Sequence, residues 1–133
     1  MRVFFYGLFM DKDLLFNKGI EPSQNEPGFV DGYELRIGER ATLVRSAGGR
    51  AYGVVMELDS ADVGALYAED SVSDYVPEPV TVELIDGESI EATCYNLPAE
   101  KVVGANRDYA QALLKVATGL GFPENYLDQI RNA

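Results

Sequence analysis

The chain has 133 residues, 47% of them hydrophobic and 25% charged, which is the size and composition of one globular domain over residues 1–133 with a core of its own. Its formal charge of −11, from 22 acidic against 11 basic residues, repels phosphate backbones and anionic lipid. Nucleic acid and membrane surfaces are therefore not expected partners.

The single cysteine, Cys94, excludes an intrachain disulfide, and the first residues lack the basic, apolar and small-residue zones of a signal peptide. No apolar stretch reaches the length of a membrane span, so a cytoplasmic location is expected. With no histidine, the commonest metal ligand and the commonest general base are both missing. No metal site is expected, and carboxylates, tyrosines or the backbone must carry any catalysis.

Arg2 to Tyr6 is a β-branched and aromatic run that stops at Gly7, the pattern of a buried strand entering a turn. Gly7 is expected to have a backbone conformation or a close ligand approach that a β-carbon would obstruct, because the chain must turn there from a buried strand into a loop. From Asp11 to Glu26 the pattern is irregular and reads as a loop, with a short helical turn around Leu14 and Leu15. Strand signals occupy Gly28 to Gly38 and Ala41 to Arg45, Gly48-Gly49 reads as a turn, and Arg50 to Leu58 is a further apolar run. Pro79 to Ile85 and Glu88 to Tyr95 alternate apolar and polar residues around Asp86-Gly87, a hairpin signal of the type I′ kind.

Two helices are predicted. Asp59 or Ser60 caps the first, which presents Val63, Leu66 and Tyr67 on one face and ends near Asp70. The second starts near Asn106, places Tyr109, Ala112, Leu113, Val116 and Ala117 at helical spacing, and stops at Gly119 and Gly121. A short third turn is opened by Pro123. These elements make a mixed α+β architecture of about six strands with helices on one side.

Glu69 stands out among the acidic residues. It lies about sixty degrees round the predicted helix from Leu66, at the border of the apolar face. The negative end of the helix dipole and the neighbouring Asp70 both act to raise its pKa towards the range of a general base. The alternative is a solvated carboxylate, the usual state of a glutamate. Tyr75, Tyr95 and Tyr126 are equally well read as core rings with hydrogen-bonded hydroxyls. Arg36, Arg40, Arg45 and Arg50 fit a salt-bridged outer face better than a carboxylate clamp. Cys94 fits a small buried hydrophobe.

Taken in order, Val3-Phe4-Phe5-Tyr6-Gly7, Gly53-Val54-Val55-Met56-Glu57-Leu58 and Leu66-Tyr67-Ala68-Glu69, followed by Tyr75 and a Val-rich strand, resemble the gamma-glutamylcyclotransferase-like family. Arg107-Asp108-Tyr109 and Gly119-Leu120-Gly121-Phe122-Pro123-Glu124-Asn125-Tyr126 are similar to the tail of its glutathione-type and small bacterial members. The resemblance implies a small mixed β-barrel with flanking helices and a pocket at one mouth. It further implies Glu69 as the catalytic acid/base and Tyr6, Gly7, Leu8, Phe9, Tyr75 and Tyr126 at the substrate, with the Tyr75 hydroxyl turned into the pocket. The reaction implied is release of 5-oxoproline and a free amine or amino acid from a small γ-glutamyl compound, with no cofactor. Leu8 and Phe9 stand where polar residues are frequent, and Asp70 where glycine is common. Those departures motivate the alternative of a binding module that keeps the pocket without turnover.

Overall fold

The computed structural model describes residues 1–132. Its sheet is a closed barrel of five strands, in the order β1-β3-β2-β4-β5. The strands are β1 (Arg2–Phe5), β2 (Ser23–Ile37), β3 (Ala41–Glu57), β4 (Val76–Leu84) and β5 (Ser89–Asn96). All neighbours are antiparallel except β1 and β5, which meet in parallel at Val3 and Thr93 to close the ring. The helices are α1 (Lys12–Phe16), α2 (Ser60–Leu66), α3 (Arg107–Gly119) and α4 (Glu124–Arg131), with 3-10 turns at Leu8–Met10 and Ala99–Lys101.

Five strands rather than six arise because Ala41 to Arg45 and Arg50 to Leu58 are not separate. β3 runs through Gly48-Gly49 and pairs with β2 along its length, with a register shift between Asp31 and Tyr33. Gly48 takes φ +79°, and a β-carbon on Gly49 would lie 2.5 Å from the Tyr33 carbonyl oxygen. The two glycines accommodate a bulge, not a turn. β2 also begins earlier than the sequence suggests, at Ser23, inside the stretch read as loop, while α1 covers the helical turn expected at Leu14 and Leu15.

The Asp86-Gly87 hairpin forms, with a different turn from the one predicted. Only Gly87 has positive φ, the Gly87 N–H donates to Leu84 O at 3.0 Å, and the Leu84 N–H donates to Glu88 O at 2.8 Å. That is a turn closed by a glycine bulge, in which Asp86 keeps an ordinary φ and its Oδ1 accepts from the Glu88 N–H at 2.9 Å.

α3 starts where predicted, with the Asn106 Oδ1 accepting from the Tyr109 N–H at 2.9 Å. It ends in paired bonds from the Gly121 N–H to Thr118 O and from the Phe122 N–H to Ala117 O, with Gly121 at φ +78°. This Schellman arrangement turns Phe122 inward and delivers Pro123 to the start of α4. Leu113 and Ala117 of α3 and Tyr126, Leu127 and Ile130 of α4 are buried against the barrel. Thr42, fully buried, fixes the chain after β5: its Oγ1 accepts from the Leu97 N–H at 2.8 Å and lies 3.3 Å from the Leu97 and Leu43 carbonyls. No helix among the described residues is long and apolar enough to cross a membrane.

Candidate functional site

β1 is apolar throughout its inner part, with Val3, Phe4 and Phe5 at most 2% exposed, so it lies fully within the barrel wall and its end opens directly into a loop. At that end Tyr6 is buried, its hydroxyl donating to the Tyr95 carbonyl at 2.7 Å. The 3-10 turn that follows makes its own bonds from Met10 N–H to Gly7 O and from Asp11 N–H to Leu8 O. The N–H groups of Leu8 and Phe9, at its start, have no partner within the turn.

A cavity of about 230 Å³ sits beside this turn, walled by Tyr6, Gly7, Leu8, Phe9, Leu14, Val72 and a set of tyrosines. Of the eight tyrosines in the chain, five line it: Tyr6, Tyr67, Tyr75, Tyr95 and Tyr109. Tyr67 stacks on Tyr95 with ring centroids 4.0 Å apart and planes 12° apart. Phe9 meets Phe5 and Tyr67 edge-on. No lining side chain carries a formal charge at neutral pH, so the cavity offers apolar surface, phenolic hydroxyls and loop amides.

Burial decides the state of those phenols. It raises the Tyr6 and Tyr67 hydroxyls well above the ordinary value, with the nearby Cys94 adding to the effect. Burial also raises Tyr75, opposed by the Arg40 guanidinium, and Tyr95. Tyr109 is pushed up to about 12 by burial, with the Leu8 N–H acting in the opposite sense. All five are neutral hydrogen-bond donors at physiological pH. Tyr6 and Tyr75 have spent their protons on the Tyr95 and Ala41 carbonyls. The Tyr109 oxygen faces the Leu8 N–H, which leaves its own proton for an acceptor in the cavity.

Gly7 shows why this position is a glycine. Its φ of −107° suits any residue, but a β-carbon there would lie 2.6 Å from the Tyr109 hydroxyl oxygen. The backbone conformation expected from the sequence is thus not what requires glycine here; the obstruction comes from α3 packing onto the loop.

The structure brings Tyr6, Gly7, Leu8, Phe9 and Tyr75 to one cavity. The Tyr75 ring lines the cavity while its hydroxyl turns to the backbone of Ala41. Tyr126 stands apart: it is 1% exposed in α4, packs on Tyr52 and Phe122, and directs its hydroxyl at the Tyr52 carbonyl. For Tyr126 the core reading describes its place.

Glu69 is not on the helix. α2 ends at Leu66, because Tyr67 leaves the helical path to stack on Tyr95, and Glu69 falls in the following turn. Bonds from Val72 N–H to Glu69 O and from Tyr75 N–H to Val72 O then lead the chain to β4. The Glu69 side chain is 41% exposed and is not part of the cavity lining. Its Oε1 accepts from the Lys18 ammonium at 2.6 Å. Glu69 thus belongs to the loop that borders the cavity, between lining residues Tyr67 and Val72, and the immediate partner of its carboxylate is a cation rather than Asp70.

Tyr67, Tyr95 and Tyr109 are the tyrosines of the cavity that sequence reasoning did not assign to a site. Periodicity places Tyr67 and Tyr109 on the buried faces of their helices, and it cannot distinguish a core from the wall of a cavity. The only signal available was the number of tyrosines. Among the described residues no group of three or more Cys, Asp or Glu side chains is arranged to hold a metal ion, and the cavity lining offers neither carboxylate nor thiol. Cys94 is fully buried, and burial raises its thiol far above the ordinary range, with Glu78 adding to the effect. The four arginines read as an outer face pair with Glu34, Asp74, Glu78 and Asp31 respectively.

Comparison with solved structures finds the same fold. One described as a gamma-glutamyl cyclotransferase superposes with a TM-score of 0.78 at 17% identity, covering 98% of this chain and 86% of its own. An uncharacterised protein from Homo sapiens gives 0.80 at 18% identity, with 98% and 85% covered. YkqA from Bacillus subtilis gives 0.79 at 18%, covering 99% of this chain and 53% of its own. Among curated proteins none matches the sequence. A family model described as gamma-glutamyl cyclotransferase, AIG2-like, matches residues 3–113, from β1 through the first half of α3 and so across every wall of the tyrosine-lined cavity. The chain belongs to the gamma-glutamyl cyclotransferase, AIG2-like family.

Proposed function

We propose that the protein is a cytoplasmic cyclotransferase that releases 5-oxoproline and a free amine or amino acid from a small γ-glutamyl compound, with Glu69 as general acid/base. The observation that supports this reading most is the joining of three parts at one cavity. A turn offers the N–H of Phe9 beside a Leu8 N–H that faces Tyr109, neutral tyrosines wall the space, and a carboxylate stands on the rim loop between Tyr67 and Val72.

In this reading the α-ammonium of the substrate gives a proton to Glu69, and the freed amine attacks the γ-carbonyl carbon of the same molecule. The new C–N bond closes a five-membered ring, so nucleophile and electrophile arrive already joined. Charge gathers on the carbonyl oxygen, where the Phe9 N–H and the Tyr109 hydroxyl can donate to it. The bond to the leaving nitrogen then breaks as Glu69 returns its proton to that nitrogen, and the second proton left on the ring nitrogen passes through the same carboxylate to the released amine, which departs as an ammonium. The residues described supply each proton movement, so the step needs no cofactor.

The test is Glu69→Gln, which keeps the length of the side chain and removes its ability to accept a proton. 5-Oxoproline release, followed by mass spectrometry on a panel of γ-glutamyl amines and amino acids, should fall about a hundred- to ten-thousand-fold with little change in melting temperature. A variant that retains most of the wild-type rate would show that the proton is handled elsewhere. One observation favours the second reading, a binding module without turnover: Glu69 rests in an ion pair outside the cavity lining. A γ-glutamyl ligand held intact by the wild type would support that reading instead.

A further inference from the structure

The γ-glutamyl head group is a zwitterion, with an α-carboxylate and an α-ammonium on one carbon, yet no side chain lining the cavity is charged. The charges that could receive it must come from the rim. Glu69 there pairs with Lys18 at 2.6 Å, their side chains 41% and 35% exposed. The pair joins two segments of the cavity wall: Leu14 of α1 lines it four residues before Lys18, which lies in the turn after that helix, and Tyr67 and Val72 line it on either side of Glu69. Arg40, the other cation of this region, is occupied by Asp74 and the Ser71 carbonyl, both at 3.4 Å. Lys18 has Glu69 as its only side-chain partner among the described residues.

Resting on the cyclotransferase reading, we propose that Lys18 is a specificity-determining residue that receives the substrate's α-carboxylate in exchange for Glu69. An exposed ion pair contributes little to stability, so it opens at little cost. A zwitterion entering between its members forms two pairs where there was one: carboxylate with Lys18, ammonium with Glu69. The total charge at the rim is unchanged by the exchange, which matters in a chain of net charge −11 that otherwise repels a carboxylate. The same exchange sets Glu69 against the ammonium whose proton it takes, so the resting ion pair is the empty form of the head-group site.

The test compares N-butyl γ-glutamyl amide with 4-aminobutanoyl butylamide, which has the same amine and carbonyl but no α-carboxylate, by calorimetric titration of wild type, Lys18→Met and Lys18→Arg. Lys18→Met is expected to weaken the first ligand about ten-fold or more while the second stays within about two-fold, and Lys18→Arg to bind both nearly as wild type. Where turnover is seen, the loss should fall on KM more than on kcat. Equal effects on the two ligands, no effect on either, or a wild type that binds neither would overturn the assignment. Wild type that binds the amide and releases no 5-oxoproline defeats the cyclotransferase reading, and the two-ligand contrast then still decides the role of Lys18. Because Lys18 is exposed, both variants should keep the wild-type circular dichroism spectrum.

Discussion

Gly7→Ala places a β-carbon 2.6 Å from the Tyr109 hydroxyl oxygen, closer than real side-chain carbons come, so the Tyr109 side chain or the loop must shift. Overpacking of this kind costs about 1–3 kcal/mol. Removing the hydroxyl should remove the conflict, because the next atom, Tyr109 Cζ, would be 3.9 Å away, an ordinary contact. In a Tyr109→Phe background the same Gly7→Ala change should therefore be neutral, or stabilising by about 0.4–1 kcal/mol through the unfolded chain, since φ −107° suits alanine. Tyr109→Phe alone gives up the contact with the Leu8 N–H and should cost about 1 kcal/mol. The coupling between the two sites is then at least about 1 kcal/mol, beyond the roughly 0.3–0.5 kcal/mol within which independent sites add. Urea unfolding of the four proteins in a double-mutant cycle measures it, with a Tm difference of about 3–5 °C per kcal/mol expected for a chain of this size. Equal costs of Gly7→Ala in both backgrounds would show that the loop does not rest on Tyr109.

The buried phenols predict a defined loss of stability in alkali. Tyr109 titrates at about 12 in the folded protein against about 10 when unfolded, so its contribution is complete below pH 10 and disappears as pH rises towards 12. Tyr6, Tyr67 and Tyr126 are raised by burial too and act in the same direction. Melting temperature should fall steeply above pH 10, less so in Tyr109→Phe, and a flat profile to pH 12 would contradict the burial of these hydroxyls. Thr42→Val keeps the shape of a fully buried side chain but strands the Leu97 N–H, and chemical denaturation should show a loss of about 1–3 kcal/mol. A loss below about 0.5 kcal/mol would mean that the Leu97 amide finds another partner.

Much of the barrel is visible as alternation. Val80, Val82 and Leu84 are buried in β4, and Ala92 and Cys94 in β5, as their spacing requires. The limits of α3 are legible because Asn106 and Gly121 act through local bonds that need no distant partner. Three features were hidden because their causes lie far away in the chain. Gly48-Gly49 makes a bulge instead of a turn because Tyr33 lies against it. α2 stops at Leu66 because the Tyr67 ring finds Tyr95. Glu69 meets Lys18, 51 residues earlier, where local reasoning saw only Asp70. Within the candidate site, the loop from Tyr6 to Phe9 and Tyr75 were legible through the family pattern. Tyr126 shares that pattern but serves the packing of α4 on β3.

The closure of the barrel by its first strand bears on how the protein is made. Val3, Phe4 and Phe5 have their antiparallel partners at Met56, Val55 and Val54, and Val3 meets its parallel neighbour only at Thr93. On a ribosome that delivers the N-terminus first, this apolar segment emerges about fifty residues before anything can pair with it, and more than a hundred before Tyr109 can complete the loop it leads into. Pairings of such separation form slowly. Among the described strands, Arg2–Phe5 is thus the one that waits longest for its first partner, and its apolar side chains stay uncovered on the nascent chain in the meantime.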